Sequence, residues 1–179
     1  MAAANKSGLA ENLAFAGALG VLALALVATG LFVDARRSAF EREALSALAK
    51  RPISGSSRQT GDPDFTRLYR IGGKGQALYG AVLSLRTSRG LALLASLFST
   101  DGELQSIRLL GENLRSQPYS REGWAANFLG RGGPSPYPAT RDETRQPEAV
   151  SGATESFLAQ RELLERASAA VRQAAEARP

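Results

Sequence analysis

FTRLYRIGGKGQALYGAVLSLRTSRGLALLASLFSTDGELQSIRLL, residues 65–110, decides the fold. Phe65–Ile71 reads as a short strand, and Gly72-Gly73-Lys74-Gly75 breaks it. Gln76–Leu85 and Gly90–Phe98 are apolar runs separated by Arg86-Thr87-Ser88-Arg89. Thr100-Asp101-Gly102 then precedes Glu103–Leu110. Asp-Gly between two strand-like runs is a hairpin signal. Together these segments predict an antiparallel meander of three or four strands.

On the C-terminal side, Gly111–Ser120 reads as a loop. Glu122–Leu129 reads as a short helix with Trp124 and Phe128 on one face. Gly130–Thr140 is rich in Gly and Pro, and its alternating Pro134, Pro136 and Pro138 suit an extended surface strap. Arg141–Gln146 is charged and expected to be exposed. From Glu155 onward the pattern is helical: Phe157, Leu164 and Val171 recur every seventh residue, with Ala167, Ala174 and Ala175 beside them.

On the N-terminal side, Ile53–Asp64 is a Gly/Ser/Pro/Asp stretch, read as a loop and the domain boundary. Leu13–Val33 carries no charge and is long enough to cross roughly 30 Å of hydrocarbon as a helix. Gly17, Gly20 and Gly30 suit a membrane helix, where small residues let neighbours approach. A cleaved signal peptide is the competing reading, but its apolar core is normally shorter, roughly 7–15 residues. Asp34–Lys50 continues as a helix with Phe40, Leu45 and Leu48 near one face, and Pro52 ends it. The expected organisation is a tail over 1–12, a transmembrane helix over 13–33, a stalk helix over 34–52 and a domain over 53–179. The fold class is α+β, with one transmembrane helix ahead of a small antiparallel sheet packed with helices.

Composition narrows the chemistry. The chain has 179 residues, a formal net charge of +5, and neither Cys nor His. That removes disulfides, thiolate nucleophiles, His general bases, Cys/His zinc sites and Cys-ligated clusters. Basic residues are spread among acidic ones, with no Lys/Arg tract interleaved with aromatics, so nucleic acid is not an expected partner. Gly73-Lys74-Gly75 with Gly80 has the wrong spacing for a dinucleotide fingerprint and is no Walker A loop. Glu41, Glu43, Glu162 and Glu165 read as surface charge on solvated helices, and the strands supply Glu103 and little else. Redox chemistry in such a chain needs a cofactor that requires neither Cys nor His, and flavin is one.

One junction remains. Pro147-Glu148-Ala149-Val150-Ser151-Gly152-Ala153-Thr154-Glu155-Ser156 runs a small-residue loop into the final helix. A helix start offers free N–H groups and the positive end of its dipole to a phosphate. Locally, Ser151 or Thr154 could equally serve as a helix cap.

Ser151-Gly152-Ala153-Thr154, placed ahead of a terminal helix, resembles the attachment motif of a membrane-anchored flavin-binding family. That family includes the G subunit of the Rnf electron-transfer complex and the C subunit of the sodium-pumping NADH:quinone reductase. Other features are similar: the single N-terminal span, Gly73-Lys74-Gly75 ahead of Tyr79-Gly80, the Asp101-Gly102 turn, and Trp124…Phe128 followed by Gly130-Arg131. The resemblance implies an FMN-binding domain with FMN held as a phosphoester on Thr154, made by a flavin transferase. It assigns Ser151, Gly152 and Ala153 to the phosphate loop, and Glu112, Asn113 and Leu114 to the stretch beside the flavin ring. There the family has Glu-Thr-Pro-Gly-Leu-Gly, of which Glu112 is retained; Glu148 stands where the family usually has Asp. The implied function is an electron-transfer subunit within an Rnf-type ion-translocating oxidoreductase, not a stand-alone enzyme. Its implied partners are the other subunits of that complex.

Two alternatives stay open at this point. One is a flavin shuttle or reductase module of another membrane redox complex. The other is a non-catalytic anchored interaction protein. The resemblance places the protein in a bacterial inner membrane, single-pass, with its C-terminal domain periplasmic. The positive flank Arg36, Arg37, Arg42, Lys50 and Arg51 points the other way, through a rule that weakens when a long domain follows the helix.

Overall fold

A computed structural model of the chain describes residues 4–53, 56–72, 77–87, 90–110, 124–138 and 153–177; side chains at 4–14, 87, 124 and 153–156 are outside that description. Two compact units divide at Phe40/Glu41.

The first unit is the greater part of helix α1, which spans Ala4–Ala49. It is apolar all round, and its apolar window is wholly exposed. A surface helix of a soluble domain would segregate its polar side. This helix is long and apolar enough to span a membrane. Its one hydroxyl near the middle, Thr29 Oγ1, donates to the Ala25 carbonyl at 2.8 Å, so it presents no open donor to an apolar surround. Where charge begins, the Arg36 guanidinium lies 5.0 Å over the Phe32 ring.

The second unit, Glu41–Pro179, is α+β. Its sheet has five antiparallel strands in sequence order: β1 Ser57–Asp62, β2 Phe65–Ile71, β3 Leu78–Thr87, β4 Gly90–Phe98 and β5 Leu104–Leu110. The expected three or four strands become five because Ser57-Arg58-Gln59-Thr60-Gly61-Asp62 forms an edge strand where a loop was expected. Its residues are mostly exposed, so it lacks the apolar alternation that marks a strand. A polar edge of this kind also discourages pairing with other chains.

Both faces of the sheet are covered, which explains the apolar runs of β3 and β4. Along β4, Ala92, Leu94 and Phe98 belong to one core, while Leu93, Ala95 and Leu97 belong to the other. The first core is closed by α2, Ala153–Glu176, through Leu163, Leu164, Ala167, Val171 and Ala174. The heptad read from the sequence is therefore the buried stripe of this helix. The second core is closed by the end of α1: Leu45 is fully buried against Tyr69, Ile71, Val82 and Leu97, with Leu48 packed alongside. Phe40, expected on the same face, is exposed. Gly80 makes this docking possible. A Cβ there would lie 2.9 Å from Ile71 Cδ1 and 3.1 Å from the Leu45 methyls.

α1 ends at Ala49, one residue before Lys50, which takes a left-handed conformation (φ 54°). The Arg51 amide then donates back to the Ser46 carbonyl at 3.3 Å, and Pro52 prevents continuation. Glu41 corrects the sequence reading. It is 3 % exposed and not surface charge. Its Oε2 accepts from the Tyr69 hydroxyl at 2.9 Å and lies 3.5 Å from the guanidinium of Arg67, itself buried.

Two more expectations change. Of the expected helix Glu122–Leu129, the described residues form a 3-10 turn, Trp124–Asn127, followed by a buried Phe128. The described part of the Gly130–Thr140 stretch, residues 130–138, is not a surface strap. Gly132 and Ser135 pair as a tight turn, and Tyr137 behind it is buried in the core. The alternating prolines hid an aromatic anchor. The 111–123 and 141–146 segments lie outside the described residues.

Candidate functional site

Helix α2 carries the candidate site, and three attachments fix it in place. Its apolar stripe packs on the sheet. Arg166 forms ion pairs with Asp62 and, at 2.7 Å, with Asp64, both at the β1–β2 turn. These hydrogen bonds, led by that to Asp64, raise the Arg166 pKa further and keep the guanidinium charged. The third attachment is Ser168, whose hydroxyl donates to the Gly102 carbonyl at 2.6 Å and accepts from the Gly133 amide at 3.3 Å. One buried hydroxyl thus joins the β4–β5 turn, the 132–135 turn and the helix.

At the amino end, Ala153 is the first helical residue and Thr154 the second. The amides of a first helical turn have no acceptor within the helix. Thr154 therefore lies within the first turn of the helix and not ahead of it. Ser151, Gly152, Glu112, Asn113 and Leu114 lie outside the described residues, as does the Gly73-Lys74-Gly75 turn.

Beyond Thr154, an aromatic row leads inward. Phe157, half-buried, has its ring centroid 5.3 Å from that of Phe128, and Phe128 lies 6.3 Å from Tyr137. Burial pushes the Tyr137 phenol far above its ordinary range, and the Glu165 carboxylate adds to this, so it remains neutral. Next to this row is Gln160, 1 % exposed. Its amide nitrogen has no hydrogen-bond partner among the described residues. Ser96 on β4, fully buried, has a hydroxyl that likewise lacks a partner among the described residues. An unpaired buried polar group costs about 1–3 kcal/mol. Ser96→Ala removes such a group with little loss of volume. Its expected effect is neutral to about 1 kcal/mol stabilising, read from urea unfolding; a loss above that range would mean that the hydroxyl is satisfied.

Gln160 and Glu41 escaped the sequence reading, although a signal was present for both. Gln160 sits three residues after Phe157 and four before Leu164, on the apolar stripe. Glu41 sits four residues before Leu45, the buried position of its helix. In each case a polar residue occupies a core register.

The described residues hold no group of three or more Asp/Glu able to bind a metal ion. A shallow groove of about 550 Å³ lies between the β4–β5 turn and Arg172 and Glu176 of α2. Arg172 is 18 residues from Thr154, about 27 Å along the helix. The groove and the amino end of α2 are therefore separate places. Glu162 and Glu165 are exposed, as expected for surface charge.

Compared with protein-family models, the chain matches none. No curated protein matches it either.

Proposed function

We propose that this chain is a membrane-anchored electron-transfer subunit that carries FMN through a phosphoester on Thr154. The observation that carries the reading is the position of Thr154, within Ser-Gly-Ala-Thr, as the second residue of a long helix fixed to the sheet. A phosphodiester brings one negative charge. The open amides and the dipole of the first turn favour that charge there. Bound flavin supplies the redox chemistry, which a chain without Cys or His does not supply through those side chains. Gln160, buried six residues further on with an amide nitrogen that has no partner among the described residues, fits a polar ring system nearby.

The rest of the chain serves placement. α1 would hold the domain at a membrane, and the tied α2 would keep the flavin at a constant distance from its electron partners. The reading extends to an Rnf-type or related ion-translocating complex, with the flavin domain on the periplasmic side of a bacterial inner membrane. A flavin transferase would be needed for maturation. Protease protection in spheroplasts tests the sidedness.

Coexpression with a competent flavin transferase tests the attachment. The denatured protein should fluoresce as flavin on a gel, and its mass should rise by FMN less one water at Thr154. Thr154→Ala should abolish both while unfolding at the same temperature. If wild-type protein gains no mass, the covalent reading fails. If Thr154→Ala instead loses the fold, Thr154 is a structural residue of the helix start.

A further inference from the structure

We propose that Gln160 tunes the flavin: its side-chain amide donates a hydrogen bond to the pyrimidine edge of the isoalloxazine. The inference rests on the reading that Thr154 carries FMN.

Three observations bear on this residue. Thr154, Phe157 and Gln160 follow one another at i, i+3 and i+6 along α2, a ridge that turns by about 60° at each step. The ridge rises about 9 Å along the helix axis, a rise comparable to the reach of an extended ribityl chain from a phosphate at its start. Its middle member, Phe157, is half-buried against Phe128 and offers an apolar flank for a planar ring. Its last member is 1 % exposed, and its amide nitrogen is unpartnered among the described residues.

That orphaned nitrogen is what distinguishes Gln160 from a packing residue. The neighbouring Leu163, Leu164, Ala167 and Val171 of the same helix are core residues, and an apolar side chain at 160 would pack beside them without an open donor. An amide in this register acquires a use when an acceptor is brought to it. The pyrimidine edge of flavin presents carbonyl and imine acceptors, and negative charge collects there on reduction. A donor at that edge favours reduced over oxidised flavin, one of the ways in which a protein sets a cofactor's potential.

The test uses the full-length protein in detergent, coexpressed with flavin transferase. Wild type, Gln160→Leu and Gln160→Met are compared by intact mass, visible redox titration and thermal unfolding of the flavin-free form. Gln160→Met, unbranched and flexible, serves if Leu disturbs the packing. The expected result is equal covalent loading. The preference for reduced flavin should fall about tenfold, which is about 30 mV for a two-electron couple. The flavin-free variants should unfold no earlier than flavin-free wild type. In wild type, the Gln160 side-chain amide resonances should move between the loaded protein and Thr154→Ala. A loaded variant with an unchanged potential overturns the inference and leaves the covalent reading standing. So does a flavin-free variant that unfolds markedly earlier, since the amide then already has a partner. Failure of wild type to load at all removes the reading itself and the inference with it.

Discussion

Glu41→Ala will lower the unfolding free energy of the domain by about 3–4 kcal/mol. Glu41 and Arg67 are both almost fully buried, in a layer otherwise built from Leu45, Ile53, Tyr69, Ile71 and Val82. A carboxylate and a guanidinium leave water at high cost, and the loss is offset only when their geometry is good. Here the carboxylate accepts from Tyr69 and faces Arg67. Deleting it strips a buried cation of this counter-charge and a buried phenol of its acceptor, and it opens a space besides. For a unit of this size the midpoint should fall by roughly 10 °C. Glu41→Gln keeps the acceptor for Tyr69 and should lose about half as much. Pairing Glu41→Ala with Arg67→Met should recover part of the loss, because the uncompensated charge goes too. Urea unfolding of the four proteins decides it: a Glu41→Ala change below 1 kcal/mol would show that the cluster is not a determinant of stability.

Gly132→Ala should be nearly as damaging, by about 3 kcal/mol, through a different mechanism. Gly132 has φ +92°, a conformation that an alanine adopts only with strain. There is also no room. An added Cβ would lie 2.5 Å from the Gly102 carbonyl oxygen, 2.8 Å from Tyr137 Oη and 3.0 Å from Ser168 Oγ. The nearest of these is backbone, and it already accepts the Ser168 hydroxyl. Relief therefore requires the two turns to separate, which loosens α2 as well. Gly61→Ala is the matched control. Its φ of +75° brings similar strain, but nothing lies within 4 Å of the new methyl, so about 1 kcal/mol is expected. If the two substitutions have equal effects in denaturant melts, the crowding at Gly132 is relieved at no cost and the junction is looser than its distances imply.

Much of this fold is legible in the chain, for identifiable reasons. Phe65–Ile71 and Gly90–Phe98 coincide with β2 and β4, the latter because a strand covered on both faces needs apolar residues at nearly every position. The Asp101-Gly102 turn is there, with Gly102 at φ +82°. The α2 stripe is there because a helix on a sheet buries one face only. What escaped was held by interactions that leave no periodic trace. β1 is recruited by backbone pairing to β2 and by a turn in which Asp62 accepts from the Asp64 amide at 2.9 Å. Tyr137 is buried by the 132–135 turn, among prolines that read as an exposed segment. Glu41 is a charge whose partners, Arg67 and Tyr69, come from a strand more than twenty residues away. The candidate site divides in the same way. Thr154 is legible because its motif is local, whereas the isolation of Gln160 depends on what packs over it.

The two covers of the sheet come from opposite sides of it along the chain: the end of α1 precedes β1, and α2 follows β5 after a long intervening segment. During synthesis the α1-side cover is thus available as soon as β2–β4 emerge. The other face of the same strands waits for residues 153–176, with Leu83, Leu94 and Phe98 open to water meanwhile. Closing that face is a long-range event that carries a loop-closure entropy cost. A half-covered sheet is the species most exposed to aggregation or proteolysis while the chain is being made. The residue proposed to receive the flavin lies on the element that ends this interval.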